Sequence, residues 1–181
     1  MKKVIISTLI LFSAQAFSQV IIGDALGTVA NKTSVLLEFA NTNDKGIVLP
    51  YVRTLSPVEG SIVLDATDAA KARVKYYNGN TNPGTNGWVD LSGQDANITT
   101  QLSVQPIITE DVVAKAIIGA TTSPVDGVLV LESNTKAMVL PTVSDVQNIP
   151  SPSPGMMVYI NKTGAKRLAV YNGSKWSFWK P

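Results

Sequence analysis

The 181-residue sequence contains neither cysteine nor histidine. Without them no disulfide, thiol nucleophile, Cys/His zinc site or Ser-His-Asp triad can be built. Charge is scarce too, with Asp, Glu, Lys and Arg at 15% against roughly 25% in an average domain. Hydrophobic residues make up 45%, enough to bury a core, which excludes a disordered polyampholyte. Carboxylates, lysines and hydroxyls remain for catalysis, and their spacing argues against it. Asp65 with Asp68 reads as a solvated turn, and Glu110 with Asp111 as the acidic start of a helix. There is no D-x-[DN]-x-[DN]-G calcium loop, and the glycines form neither G-x-x-x-x-G-K-[ST] nor G-x-G-x-x-G. We therefore expect no catalytic residues, no cofactor and no metal site.

The N-terminus carries an export signature. Lys2 and Lys3 precede the apolar run Val4–Phe12, and Ala16 and Ser18 are small residues at the spacing signal peptidase reads. The run is well short of the ~20 residues that span a bilayer, so residues 1–18 are read as a cleavable signal peptide, leaving no transmembrane segment. Two of the 15 basic residues leave with it, so 13 basic face 13 acidic residues in the mature chain. Lys71, Arg73 and Lys75 are the densest basic group and alternate as on one strand face. A nucleic-acid surface needs a more concentrated footprint, so none is expected. No cysteine follows the signal to carry a lipid anchor.

One pattern occurs twice. It runs Ile21-Ile22-Gly23, Val35–Phe39, Lys45-Gly46-Ile47-Val48-Leu49-Pro50, Gly60–Leu64 and Arg73–Gly79, and closes on Trp88. The second copy runs Ile117-Ile118-Gly119, Val128–Glu132, Lys136-Ala137-Met138-Val139-Leu140-Pro141, Gly155–Tyr159 and Arg167–Gly173, and closes on Trp176. The offset is 96 residues at the Gly23/Gly119 pair and 88 at Trp88/Trp176, the difference arising mainly from the polar insertion Asn80–Asn86. Val35, Leu37 and Phe39 alternate, as do Val74 with Tyr76 and Leu168 with Val170, which is the period of half-buried strands. Asn172-Gly173 is suited to a tight hairpin turn that brings Tyr171 and Trp176 together. Leu49-Pro50 and Leu140-Pro141 should end strands, because proline cannot donate to a ladder.

The expected fold is mainly β: two tandem copies of a small hairpin-rich repeat, 19–93 and 117–181, joined by a linker over 94–116. Within the linker, Leu102–Ile108 reads as one more strand and Thr109-Glu110-Asp111 as the start of a short helix. The aromatics are the one surface signal. Tyr77 and Trp88 flank one turn, Tyr171 and Trp176 its equivalent, and Phe178 and Trp179 follow beyond it. Cross-strand packing accounts for Tyr171 and Trp176. Phe178, Trp179, Trp88 and Tyr77 are the candidate partner-binding residues, since Trp and Tyr are enriched at interface hot spots.

The module resembles a repeat of exported Bacteroidota proteins, with a Lys-Gly-hydrophobic-Leu-Pro segment, then Pro-x-x-Gly-hydrophobic-hydrophobic-Val-Tyr, then Tyr-Asn-Gly-x-x-Trp. Leu140-Pro141, Pro152–Tyr159 and Tyr171–Trp176 carry the likeness, as do Leu49-Pro50, Pro57–Val63 and Tyr77–Gly79. The resemblance implies a non-catalytic β building block associated with tail-fibre-like or adhesive regions. The sequence ends near the second repeat, with no type 9 sorting domain in view. The first expectation is a non-enzymatic periplasmic protein that binds an outer-membrane or envelope protein, as an accessory or plug subunit of a type 9 export assembly. Two alternatives stand beside it. One is a surface adhesin or fibre module, stable as a trimer; the other is a glycan-binding module.

Overall fold

The computed structural model describes residues 19–179 apart from 28, 82–85, 108, 110 and 112. The expected signal peptide lies outside the described residues. As the alternation predicts, the chain is mainly β. The strands are β1 (Val20–Ile22), β2 (Val35–Phe39), β3 (Ile47–Val48), β4 (Tyr51–Val52), β5 (Ile62–Asp65), β6 (Arg73–Tyr77) and β7 (Trp88–Asp90). After a single-turn helix α1 (Thr99–Ser103) come β8 (Ala116–Ile118), β9 (Leu129–Leu131), β10 (Ala137–Val139) and β11 (Thr142–Val143). A 3-10 turn (Val146–Asn148) precedes β12 (Met156–Ile160), β13 (Arg167–Tyr171) and β14 (Trp176–Trp179).

Two sheets share one plan. β4-β5-β6-β7 and β11-β12-β13-β14 each begin with a parallel pair and continue with two antiparallel pairs. Each starts just after a proline. Pro50 and Pro141 lack the N–H needed to continue a ladder, so β3 and β10 stop there and the chain turns into another sheet. Their carbonyls still accept, from Leu64 N at 3.0 Å and Tyr159 N at 2.9 Å. Gly60 N and Gly155 N donate to the Tyr77 and Tyr171 carbonyls at 3.0 and 2.8 Å, both from positive φ.

The sheets are tied across the chain. β3 pairs antiparallel with β12, placing Ile47 against Met157 and Val48 against Met156. β10 pairs parallel with β2, placing Met138 against Leu37. Leu49, Leu64 and Val74 from the first pattern therefore share one core cluster with Met157 and Val170 from the second. A smaller cluster gathers Val143, Ile149, Val158 and Ala169.

Between the patterns the structure departs from expectation. Of the expected strand over Leu102–Ile108, residue 108 lies outside the described set and 102–107 form no strand; Thr99–Ser103 is helical instead, about ten residues before the expected helix start. The reason is spacing: Ile98 and Leu102 lie four apart on one helical face, and both are buried in the core the sheets share. Ile98 O accepts from Leu102 N at 2.8 Å and the Asn97 side chain from Thr99 N at 3.0 Å. Of the expected 109–115 helix, residues 110 and 112 lie outside the described set, and described neighbours Asp111 and Val113–Lys115 are not helical. The turn after β13 also differs. Only Gly173 has positive φ; buried Asn172 acts through its side chain, accepting from Ser174 N and Lys175 N at 3.0 Å and donating to Gln94 O at 2.8 Å. Tyr171 and Trp176 are paired, as expected, across this four-residue loop.

Candidate functional site

The candidate aromatics fall into two groups. Tyr77 and Trp88 are directly paired across β6 and β7, with ring centroids 5.2 Å apart and planes tilted by 55°. Tyr171 and Trp176 repeat this across β13 and β14 at 5.2 Å and 44°. Tilted pairs at this distance use the ring quadrupoles and brace the hairpin. Phe178 and Trp179 are not brought to the Tyr77–Trp88 pair. They end β14, 45% and 44% exposed. The Arg167 guanidinium sits 4.8 Å from the Phe178 ring centroid, a cation–π contact. Trp179 also has a structural role, its Nε1–H donating to Leu91 O at 2.7 Å, and the Ser177 hydroxyl donates to Ser92 O. Together they clip β14 to the segment after β7. A Trp179→Phe change keeps an aromatic ring, though a smaller one, and deletes the donor, so it should cost about 1 kcal/mol in chemical denaturation, without loss of fold by circular dichroism.

Several charged residues are engaged with one another. Arg73 binds Asp95 at 2.7 Å and also Asp90, and these two partners raise its pKa. Lys75 Nζ lies 2.6 Å from Asp65 Oδ2, so two cations of the basic group face carboxylates. Asp65 is not the solvated turn the sequence suggests. It is buried, because it ends β5 opposite Arg73 and turns its carboxylate to Lys75 Nζ and to Thr67 N and Oγ1, at 3.0 and 2.7 Å. Burial alone would push its pKa up, but the hydrogen bonds from Lys75 and Thr67 outweigh that and hold it below the usual value. A depressed folded-state pKa contributes stability that is complete above the unfolded value, about 3.9, and is lost as pH falls through the folded one. Asp65→Asn should therefore be less stable near neutrality by roughly 1–3 kcal/mol and flatter in acid. Urea midpoints from about pH 6 to 2 test this: parallel curves for the two proteins would refute the assignment.

Sequence reasoning missed two features. Glu38, within an apolar run, is fully buried and accepts from Val29 N at 2.7 Å, Gln19 Nε2 at 3.1 Å and Lys32 Nζ at 3.2 Å. Its neighbours in the chain are all apolar, so no local signal marked its partners. Val128 and Leu129, apolar residues of the second pattern, stand 69% and 46% exposed. An open groove of about 810 Å³ lies beside them, lined by Tyr51, Arg53, Val63, Trp88, Ile107 and Val128. Among the described residues no cluster of acidic side chains could hold a metal ion, and no helix is long and apolar enough to cross a membrane.

Residues 117–180 match the family model described as the phage tail like trimerisation region. The match spans the whole second pattern, from β8 to β14. No curated protein and no solved structure matches the chain.

Proposed function

We propose that the protein is an exported, non-enzymatic structural module of tail-fibre or adhesin type that assembles with copies of itself, three by the description of the matched region. The match over residues 117–180 carries this reading. Supporting it, the aromatic pairs brace hairpins and the cations Arg73 and Lys75 are paired with carboxylates, a pattern suited to scaffolding. Export rests on the sequence of residues 1–18, and the units 19–93 and 117–181 are proposed as one repeat used twice. The test is the mass of the chain from residue 19 onward, by light scattering on a sizing column. Three times the monomer mass is expected, and a monomer at every concentration would defeat the reading.

The half-exposed Phe178–Trp179 end of β14 favours a second reading, in which an outer-membrane or envelope protein docks there. A periplasmic accessory or plug role in type 9 export is the specific form of that idea. Phe178→Ala should then weaken capture of the solubilised type 9 translocon roughly 30-fold, on the scale of a 2 kcal/mol hot spot, in a titration against the unaltered chain. Equal affinities would remove this segment from any such interface.

A further inference from the structure

The two patterns present equivalent strands in unequal states. β1 pairs with β2 in parallel, Val20 opposite Leu37, and β8 pairs with β9 in parallel, Ala116 opposite Leu129. The closing hydrogen bonds match: Ala40 N to Ile22 O at 2.8 Å and Glu132 N to Ile118 O at 2.9 Å. Leu36 and Leu37 in β2 thus correspond to Val128 and Leu129 at β9. Leu36 and Leu37 are 2% and 0% exposed, against 69% and 46% for Val128 and Leu129. The cause of the difference is visible. β10 lies along the other edge of β2, whereas among the described residues no strand lies along the other edge of β9.

The strand that fills the β2 edge belongs to the Lys-Gly/Ala-hydrophobic-hydrophobic-Leu-Pro segment, which also occurs as Lys45–Pro50. There it forms β3, whose one partner among the described residues is β12, and Val48 is 50% exposed. A single chain therefore carries one acceptor edge, β9, and one donor, β3, of the kind already joined within it as β2 and β10.

The geometry points to a second copy of this chain as the occupant: its β3 adds in parallel to the open edge of β9, Ile47 opposite Leu129, as Met138 lies opposite Leu37. This inference rests on the self-association proposed above and names the surface that carries it. The new contact is continuous with the interface between the two halves and repeats it. The same placement brings the outer edge of β10 to the start of the second copy's β5, as β3 meets β12. The contact is heterologous, and such contacts close into rings when the rotation permits. Backbone pairing would supply the affinity, and Val128 and Leu129 the apolar cover, as in strand addition generally.

Leu129 makes the test clean. The β8–β9 ladder uses the Val128 carbonyl and the Glu132 N–H, so by alternation the Leu129 N–H points away from β8 toward the open edge. Leu129→Pro removes that outward donor and leaves the ladder to β8 in place. It should weaken self-association roughly tenfold or more, read by sedimentation, with unchanged circular dichroism. Because the chain has no cysteine, Ile47→Cys and Leu129→Cys provide an independent probe. Mixed and oxidised, the two proteins should form a disulfide between copies that a mixture of Leu129→Cys with unaltered chain does not. If the unaltered chain assembles, and Leu129→Pro assembles equally with no mixed disulfide, this edge is excluded while self-association stands. If the unaltered chain is monomeric throughout, self-association itself falls, and this surface with it.

Discussion

Gly46→Ala should destabilise the protein by roughly 2–4 kcal/mol, at the upper end of the cost of overpacking. A Cβ at Gly46 would lie 2.6 Å from Val158 Cγ1, 2.8 Å from Met156 Cγ and 2.9 Å from the Met157 carbonyl oxygen. Two of those atoms belong to well-buried side chains, and the third is backbone of a strand held on both edges. None can retreat without disturbing β12. The effect comes from space alone, since Gly46 is not among the positive-φ glycines. Urea unfolding measures it: the midpoint should fall while the slope stays constant. Ala137, at the same place in the second copy of the motif, is exposed, so Ala137→Gly should change stability by less than about 1 kcal/mol. Equal effects at the two positions would show that β3 does not seat on β12 as described.

Leu64→Ala is expected to cost about 2–5 kcal/mol, the range for emptying a buried leucine site. Leu64 is fully buried among Leu49, Val74 and Ile98, with Met157 and Val170 of the other pattern in the same cluster. Because both patterns line that core, the whole chain should respond as one unit. Tryptophan fluorescence, from Trp88 on one side and Trp176 and Trp179 on the other, should shift to lower denaturant together with far-ultraviolet circular dichroism. Two separated transitions, one of them unmoved by the substitution, would mean that the patterns fold independently.

Much of the local structure was legible along the chain. Alternation at Val74 and Tyr76 and at Leu168 and Val170 marked β6 and β13, and the prolines marked the ends of β3 and β10. The spacing of Tyr171 and Trp176 foretold their tilted pair, because residues flanking a short turn face each other across a hairpin; Tyr77 and Trp88, singled out as partner-binding candidates, form the same kind of pair across the longer loop that holds the Asn80–Asn86 insertion. Misreadings arose where distant partners decide. Asp65 looked solvated because Lys75 approaches it from the neighbouring strand. Leu102 looked like part of a strand because its burial depends on Ile98 one helical turn earlier and on a core supplied from both ends of the chain.

The match between patterns along the sequence was also out of register with their pairing. Residue types align Val35–Phe39 with Val128–Glu132, but the ladders set Glu38 opposite Ile21 and Val130 opposite Ile117. A buried carboxylate thus occupies the place an apolar side chain fills in the other sheet.

By itself the sequence excluded cysteine and histidine chemistry and determined which segments extend and where they stop, since composition, side-chain alternation, proline and glycine act on the residue that carries them or its neighbours. The tertiary structure alone decided which strands meet. An open strand edge offers the same backbone donors and acceptors whatever its side chains, so pairing is selected by distant packing: Gly46 because β12 lies close, and Leu37 buried because β10 covers it. The same physics leaves Leu129 exposed, on an edge that no described strand of its own chain fills.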